Sequence, residues 1–139
     1  MHMQKTIGGL AVILWMLLLA NPQRATAQSE VITGVRVSIK AGSSQELVKF
    51  FNDRVVINLD GVKNIYSQAQ AEFVMRDFFE KNPPEENGFH YIHQGSSKDS
   101  RKYAIGKYFS NNGSSYKVVL LVKPMDGKYV VDTLDFIKE

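Results

Sequence analysis

The sequence predicts an α+β fold in which helices come first and an antiparallel sheet follows. Up to Pro84, most apolar residues recur every three or four positions, which is the spacing of one face of a helix. After Gly88 the apolar period changes to two and stays so to the end of the chain. Short turns join these alternating segments, and turns of this length connect antiparallel neighbours.

The first helix is predicted over Ser29 to Ala41, where Val31, Val35 and Ile39 recur every four residues. Val35, Val37 and Ile39 also alternate as they would in a strand. Periodicity alone therefore leaves both structures open for this segment.

The residues that follow favour the helix, because they mark one helix end and a new helix start. Gly42 suits the position just past a helix, and Ser43 to Glu46 spells the S-x-x-E capping box. We therefore expect a second helix that buries Leu47, Phe50 and Phe51.

A short strand is predicted next. Asn52-Asp53 is expected to end the second helix, and Val55, Ile57 and Leu59 then alternate with less apolar neighbours. Asp60-Gly61 is expected to end the strand.

The longest helix is predicted to start after Ser67. The Ser67 hydroxyl can cap the first turn while Gln70 reaches back to it. Lys81 suits the negative end of the helix, and Pro83-Pro84 prevent its continuation. An apolar stripe at helical spacing would face the sheet: Ala71, Val74, Met75 and Phe78.

Four strands of an antiparallel meander are predicted after Gly88. Asn112-Gly113 and Asp126-Gly127 are strong hairpin signals, because these residue types tolerate positive φ. The strands are expected at Phe89 to Gln94, Lys102 to Ser110, Ser115 to Lys123 and Lys128 to Ile137.

The third of these strands is apolar on both faces. One face carries Tyr116, Val118, Leu120 and Val122, and the other carries Val119 and Leu121. A sheet with two apolar faces needs a partner on each. The helix after Ser67 would cover the first face, and a second subunit at an interface with Val119 and Leu121 would cover the other.

The first 27 residues have the pattern of an export signal. Lys5 precedes an apolar run from Ile7 to Ala20, and Ala25-Thr26-Ala27 supplies the small-x-small cleavage pattern. The run is shorter than the roughly 20 residues that cross a bilayer, so we expect cleavage after Ala27 and no stable membrane anchor. This predicts a signal peptide at 1–27, a single domain at 28–139, and a periplasmic or secreted location.

Composition excludes several functional classes for the predicted domain. The signal holds two of the 17 basic residues, Lys5 and Arg24, and none of the 14 acidic residues, so the rest has a formal charge of +1. Such a domain lacks the basic footprint that nucleic acid requires, and the cluster of Lys98, Arg101 and Lys102 fits a solvated turn. The absence of cysteine excludes disulfides, thiolate catalysis and Cys-ligated zinc.

Short stretches across most of the predicted domain carry a family resemblance. They are Ala41-Gly42 to Leu47 with Phe51, Tyr66-Ser67 with Gln70 to Glu72, Phe78-Phe79, Asn82 to Pro84, His93 to Gly95, Lys102 to Gly106, and Asp126 to Tyr129. In these stretches the chain resembles a family of small exported bacterial proteins, domain of unknown function 4783, in the nuclear-transport-factor-2-like (SnoaL-like, cystatin-like) superfamily. The resemblance implies a curved antiparallel sheet that wraps the long helix as a cone, and a Gram-negative setting. It implies no activity.

Enzymes that resemble this superfamily place histidines, carboxylates and tyrosines on the inner face of the sheet. His93 would share a strand face with Phe89 and Tyr91, so it is a candidate pocket base. His90 lies three residues away and so on the opposite face, which argues against a shared metal unless a bulge intervenes. We therefore expect no metal site and no cofactor.

Further pocket candidates are Tyr91, Tyr103 and Asp132. The tyrosine hydroxyls could orient a ligand, although strand tyrosines commonly pack in the core. Asp132 lies between Val130 and Leu134 in strand alternation, and it could instead pair with a lysine. By the same spacing argument, Asp132 and Asp135 should not converge as an acid–base pair.

Three functions remain open. The first is a non-enzymatic binding module, expected to be a homodimer, whose cone holds a small apolar ligand or is filled. The second is a cofactor-free lyase or isomerase that uses His93 or Asp132 as its base. The third is a structural assembly partner that acts through the outer sheet face, which exposed Val119 and Leu121 without a cavity would favour.

Overall fold

The computed structural model describes residues 22–139, with side chains from residue 30 onward. The predicted signal peptide and its cleavage position lie in residues 1–21, which are outside the described residues, and in positions 22–27, where only the backbone is described. None of the described helices is long and apolar enough to cross a membrane.

Three helices pack against one six-stranded sheet in the part of the chain that the structure describes, so the predicted α+β class is confirmed. The helices are α1 (Pro22–Ala41), α2 (Ser44–Leu47), which continues into a 3₁₀ turn (Val48–Phe50), and α3 (Gln68–Lys81). The strands are β1 (Phe51–Leu59), β2 (Val62–Ser67), β3 (Pro84–Ser96), β4 (Lys102–Ser110), β5 (Ser115–Met125) and β6 (Lys128–Lys138).

The sheet is mixed and open, with the strand order β2-β1-β6-β5-β4-β3. The last four strands form the predicted antiparallel meander. The expectation of a wholly antiparallel sheet is wrong at one place, because β1 runs parallel to β6. The connection between them contains α3, which supplies the crossover that a parallel pair requires.

The helix ends follow the sequence signals closely. Gly42 has φ 64°, and the N–H groups of Gly42 and Ser43 donate to Ile39 O and Ser38 O, which closes α1 in a Schellman motif. Ser43 caps α2, since its Oγ accepts from Glu46 N. The Ser43 N–H already donates to Ser38 O, and the Glu46 carboxylate pairs with Lys49 at 3.0 Å, so the second half of this capping box does not form. At α3 both halves of the predicted capping box form between Ser67 and Gln70.

The second helix is shorter than predicted. Phe51 already belongs to β1, and Asn52-Asp53 lies inside that strand instead of ending a helix. Phe51 is nevertheless buried, because it lies opposite Val131 of β6.

The predictions missed β2 entirely. Asp60 and Gly61 both have positive φ, 50° and 92°, and form the two-residue turn of a β1–β2 hairpin. The signal was present in this Asp-Gly pair, but the strand after it is an exposed edge without an apolar alternation.

Bulges bend the sheet and change which side chains share a face. In β3, Tyr91 pairs with Gly106 while His93 pairs with Ile105, so Ile92 is an extra residue. In β6, Asp132 is the extra residue, because Val122 pairs with Val131 and Leu121 with Thr133. Each extra residue reverses the alternation beyond it, which simple counting along the strand cannot reveal.

The inner face of the sheet forms the core with α1 and α3. Phe78 of α3 packs on Tyr116 and Phe136 with ring centroids 5.2 and 4.6 Å apart. Val35 and Ile39 of α1 are fully buried against the same core. Within the described chain, no buried side-chain nitrogen or oxygen lacks a hydrogen-bond partner.

Candidate functional site

Tyr91 is the candidate residue that lies inside the fold. Its hydroxyl donates to Ile32 O of α1 at 2.8 Å, and its ring meets that of Phe89 edge-on at 5.2 Å. Burial raises the pKa of Tyr91 well above its ordinary value, so the hydroxyl stays a neutral donor. The residue therefore ties α1 to β3.

His93 lies on the outer face, so the expectation that it shares a face with Phe89 and Tyr91 is wrong. The bulge at Ile92 sets His93 opposite Ile105, whose side chain points away from the core. His93 is exposed, and its Nε2 lies 2.9 Å from the Tyr103 hydroxyl.

The same bulge places His90 and His93 on one face, contrary to the spacing argument. Their side chains nevertheless take different neighbours, because His90 stacks on Phe109 and His93 contacts Tyr103. Across residues 22–139 no group of three or more potential ligands is arranged to hold a metal ion.

Asp132 also lies on the outer face, because it is the bulge residue of β6. Its Oδ1 is 3.0 Å from Lys123 Nζ, and both side chains are about three-quarters buried. The placement between Val130 and Leu134 that simple alternation suggested is therefore wrong, and the predicted alternative, a lysine partner, is confirmed.

Asp135 joins Asp132 on this face, where it lies opposite Val119. Partial burial raises the pKa of Asp135, and the positive charge of Lys63 opposes that shift. Spacing alone predicted that Asp132 and Asp135 lie on opposite faces. That prediction is wrong, because Asp132 is the bulge residue of β6.

A cleft of about 300 Å³ opens where the β3–β4 loop meets the outer face. Tyr103 and Asp132 were expected in the cone, but they line this cleft on the outer face, together with the predicted interface residue Leu121. The others are Ser97, Asp99, Arg101, Lys102, Val122 and Lys123. His93 touches this group through Tyr103, whereas Tyr91 belongs to the core.

Hydrogen bonds fix the loop that forms one wall of the cleft. Ser97 N donates to Arg101 O at 2.9 Å, and the Ser97 hydroxyl donates to Asp99. Arg101 Nε lies 3.0 Å from Asp99 Oδ2. The Ser97 hydrogen bond, supported by the charge of Arg101, holds the pKa of Asp99 below its ordinary value. Arg101 is exposed in this loop, as expected, and it pairs there with Asp99.

An apolar band crosses the outer face beside the cleft. Val56 pairs with Ile65 across β1 and β2, and Leu121 pairs with Tyr103 across β5 and β4. Thr133 of β6 lies opposite Val56 on one side and Leu121 on the other, which joins the two pairs. Ile65 and Leu121 are 64% and 38% exposed. We call this set the outer band: Val56, Ile65, Tyr103, Ile105, Val119 and Leu121.

Sequence reasoning found Val119 and Leu121 but missed Val56, Ile65, Arg101 and Lys123 as parts of this surface. Recognising β2 from Asp60-Gly61 would have revealed Ile65 and Val56. Lys123 needed the register of β5 against β6, which depends on the bulge at Asp132.

Comparisons with known proteins agree on the family. The sequence pattern of the family described as domain of unknown function (DUF4783) matches residues 32–136. No curated protein matches the chain. The crystal structure of a DUF4783 family protein from Bacteroides ovatus ATCC 8483 is 30% identical, covers 76% of this chain and 93% of its own, and has a TM-score of 0.70.

Two further structures extend the comparison. A DUF4783 family protein from Bacteroides uniformis ATCC 8492 is 26% identical, with 77% of this chain and 95% of that chain covered and a TM-score of 0.70. An NTF2-like protein of unknown function from Shewanella baltica OS155 is only 14% identical, yet it covers 84% of this chain and 94% of its own at a TM-score of 0.64. The second likeness concerns the fold alone. The chain belongs to the DUF4783 family and has an NTF2-like fold.

Proposed function

We propose that this protein is an exported, non-enzymatic module that acts by association through the outer face of its sheet, and that its partner there is a second copy of the chain. The observation that supports this is the outer band. A soluble protein that leaves such a band uncovered loses free energy to water contact, and pairing removes that loss.

The inner face offers less support for a ligand-binding cone. Its central side chains, among them Phe89, Tyr108, Leu120 and Phe136, are at most 1% exposed. Helices α1 and α3 cover them, and Tyr91 ties α1 in place. A small apolar ligand in the cone would have to displace this packing.

A lyase or isomerase also has less support. The His93 ring nitrogen is engaged with the Tyr103 hydroxyl, and the Asp132 carboxylate is engaged with Lys123. Neither residue faces the inner side of the sheet, where the enzymes of the resembling superfamily place their catalytic groups.

A second copy suits the outer face because the face is self-complementary. A two-fold axis parallel to β5 would set the Val119 and Leu121 side chains of both copies against each other. The same axis would set β6 of each copy over β4 of the other. Since Val119 pairs with Asp135 on β6 and with Ile105 on β4, Asp135 of each copy would then lie over Ile105 of the other. The near-neutral charge of the domain opposes no such pairing.

The test is the mass of the purified protein, produced with its own leader. Intact mass should show a chain that begins at Gln28, since Ala25 and Ala27 fit the cleavage pattern. Light scattering should then give twice the chain mass, and Val119→Glu should give the single-chain mass, because a carboxylate in an apolar interface costs several kcal/mol.

Val37→Glu is the matched control. Val37 is 58% exposed on α1, away from the outer face, so the same substitution there should leave the dimer intact. Leu121→Lys serves as a second interface variant if Val119→Glu fails to fold. A wild-type protein that is monomeric at all concentrations contradicts the dimer, and a mass that includes residues 1–27 contradicts export.

A further inference from the structure

We infer that the cleft between the β3–β4 loop and the ends of β5 and β6 binds a small organic anion with an apolar body. Tyr103 and Leu121 belong both to this cleft and to the outer band, so a ligand and a second copy would compete for these two side chains. The inference rests on the polar rim of the cleft, on its apolar floor and on its size.

The rim has more hydrogen-bond donors than acceptors. Arg101 Nε lies 3.0 Å from Asp99 Oδ2, and the guanidinium carries four further N–H donors on its two terminal nitrogens. Lys123 Nζ carries three protons and contacts Asp132 through one oxygen at 3.0 Å. Asp99 already accepts from Ser97 and Arg101. The unused capacity is therefore largely donor capacity, which an anionic group would fill.

The floor of the cleft is apolar. Leu121 and the Tyr103 ring lie opposite each other on adjacent strands, and together they offer a surface for an aromatic or aliphatic group. The volume of about 300 Å³ lies at the lower end of the range for small-molecule sites. A ligand that matches both parts has one acidic group at the rim and a small apolar body on the floor.

The rim is held in place before any ligand arrives. The Ser97 N–H donates to Arg101 O at 2.9 Å, and the single proton of the Ser97 hydroxyl is donated to Asp99. Lys123 is anchored by Asp132, whose outward direction results from the β6 bulge. Preorganised donors lose little conformational entropy on binding, so a small ligand can gain from them.

The test compares two fluorescent dyes that share one aromatic body. 8-Anilinonaphthalene-1-sulfonate carries an acidic group, and N-phenyl-1-naphthylamine lacks it. We expect saturable binding of the sulfonate, with the neutral dye weaker. Arg101→Gln should weaken sulfonate binding about tenfold, because a charge-assisted hydrogen bond is lost, and should leave the neutral dye unchanged.

Arg76→Gln is the matched control. Arg76 of α3 is also half-exposed and also paired with an acid, Glu72 at 3.3 Å, but it lies outside the cleft. NMR amide shifts should move at Tyr103, Leu121 and Lys123 and stay unchanged along α3. Equal binding of both dyes, equal losses in the two arginine variants, or shifts centred elsewhere would each overturn the inference.

The ligand site and the dimer are distinguished by the Val119→Glu variant. Val119 does not line the cleft, so Val119→Glu should keep dye binding, and it should strengthen that binding if the unaltered protein is a dimer that covers Leu121. A protein that is monomeric but binds the sulfonate with Arg101 contradicts only the dimer. A Val119→Glu monomer that shows no difference between the dyes contradicts only the ligand site.

Discussion

The two faces of β5 differ sharply, although their residues alternate along one strand. On the inner face, Val118 and Leu120 are at most 1% exposed and contact a core closed by α1 and α3. On the outer face, Val119 is half-buried and Leu121 is 38% exposed, with no helix of the described chain above them. Apolar side chains on the inner face are explained by folding, whereas those on the outer face are not.

This difference separates stability from association. Burying a leucine contributes about 2 kcal/mol to folding only where water is removed from it. Within one chain, Leu121 is only partly buried and gains a fraction of this free energy. It can gain the remainder when the outer face packs against another surface. Changes on the two faces should therefore affect different measurements.

The sharpest test substitutes adjacent leucines. Leu120→Ala should lower the free energy of unfolding by about 2–5 kcal/mol, because it leaves a cavity in a closed core. Leu121→Ala should cost within about 1 kcal/mol in dilute solution, since half-exposed sites lose little. Urea unfolding at low protein concentration measures both losses.

The two variants act as controls for each other, since the substitution and the strand are the same. Comparable losses at a concentration where the protein is monomeric would mean that the outer face is covered within the chain. A Leu121→Ala loss that grows with protein concentration would instead support the proposed interface.

The inner side also owes its order to a polar junction at the end of α3. Asn82 Nδ2 donates to Phe78 O at 3.1 Å, and Asn82 Oδ1 accepts from the Tyr116 hydroxyl at 3.1 Å and from Asn112 Nδ2 at 2.8 Å. The Tyr108 hydroxyl donates to Asn82 O. This junction fixes the β4–β5 hairpin against α3, and burial raises the pKa of the Tyr108 hydroxyl, which keeps it a donor.

Removing the Asn82 side chain should be the next largest effect. Asn82→Ala deletes three hydrogen bonds and leaves the Tyr116 hydroxyl without this acceptor, at an expected cost of about 2–3 kcal/mol. Asn64→Ala is the control, because that exposed asparagine of β2 makes one side-chain bond, to Tyr66 at 3.3 Å. Thermal unfolding of both variants measures the difference. Equal melting temperatures for the two variants would mean that the junction does not stabilise the inner face.

Local signals predicted much of this fold. The Ser67 cap, the Gly42 helix end and the Asp126-Gly127 turn each depend on residues within one turn of chain, and all three are present. The Asn112-Gly113 turn forms too, with positive φ at Gly113 only. The missed β2 shows the limit, because an edge strand facing water need not alternate.

The candidate site was harder to predict because it depends on register. Whether His93 points inward depends on Ile92 being an extra residue relative to β4, and nothing within β3 itself marks that. In the same way, the direction of the Asp132 side chain depends on Asp132 being an extra residue relative to β5. Leu121 was assigned to the correct face because no bulge lies between it and Val119. Tyr103 was a candidate for the cone, but it lies on the outer face opposite Leu121.

The smallest expected effect concerns Asp135, an acid on the outer face beside Val119. Its raised pKa, caused first by partial burial, means that the folded chain holds the proton at pH values where the unfolded chain, with a pKa of about 3.9, has released it. In that window the native state binds more protons, so the free energy of unfolding falls as pH rises through the folded pKa. Asp135→Asn removes this loss.

The melting temperature of Asp135→Asn minus that of the wild type should therefore increase between pH 3 and pH 7, by no more than a few degrees because the group is partly solvated. Asp53→Asn, which removes an exposed acid outside the described ion pairs, is the control for the substitution itself. A difference that shrinks with rising pH would mean that attraction to Lys63 outweighs burial. Repeating the melts at high protein concentration sharpens the comparison of the two faces: if a second copy covers the outer face, the carboxylate is more deeply buried and the difference should increase, whereas an uncovered face leaves it unchanged.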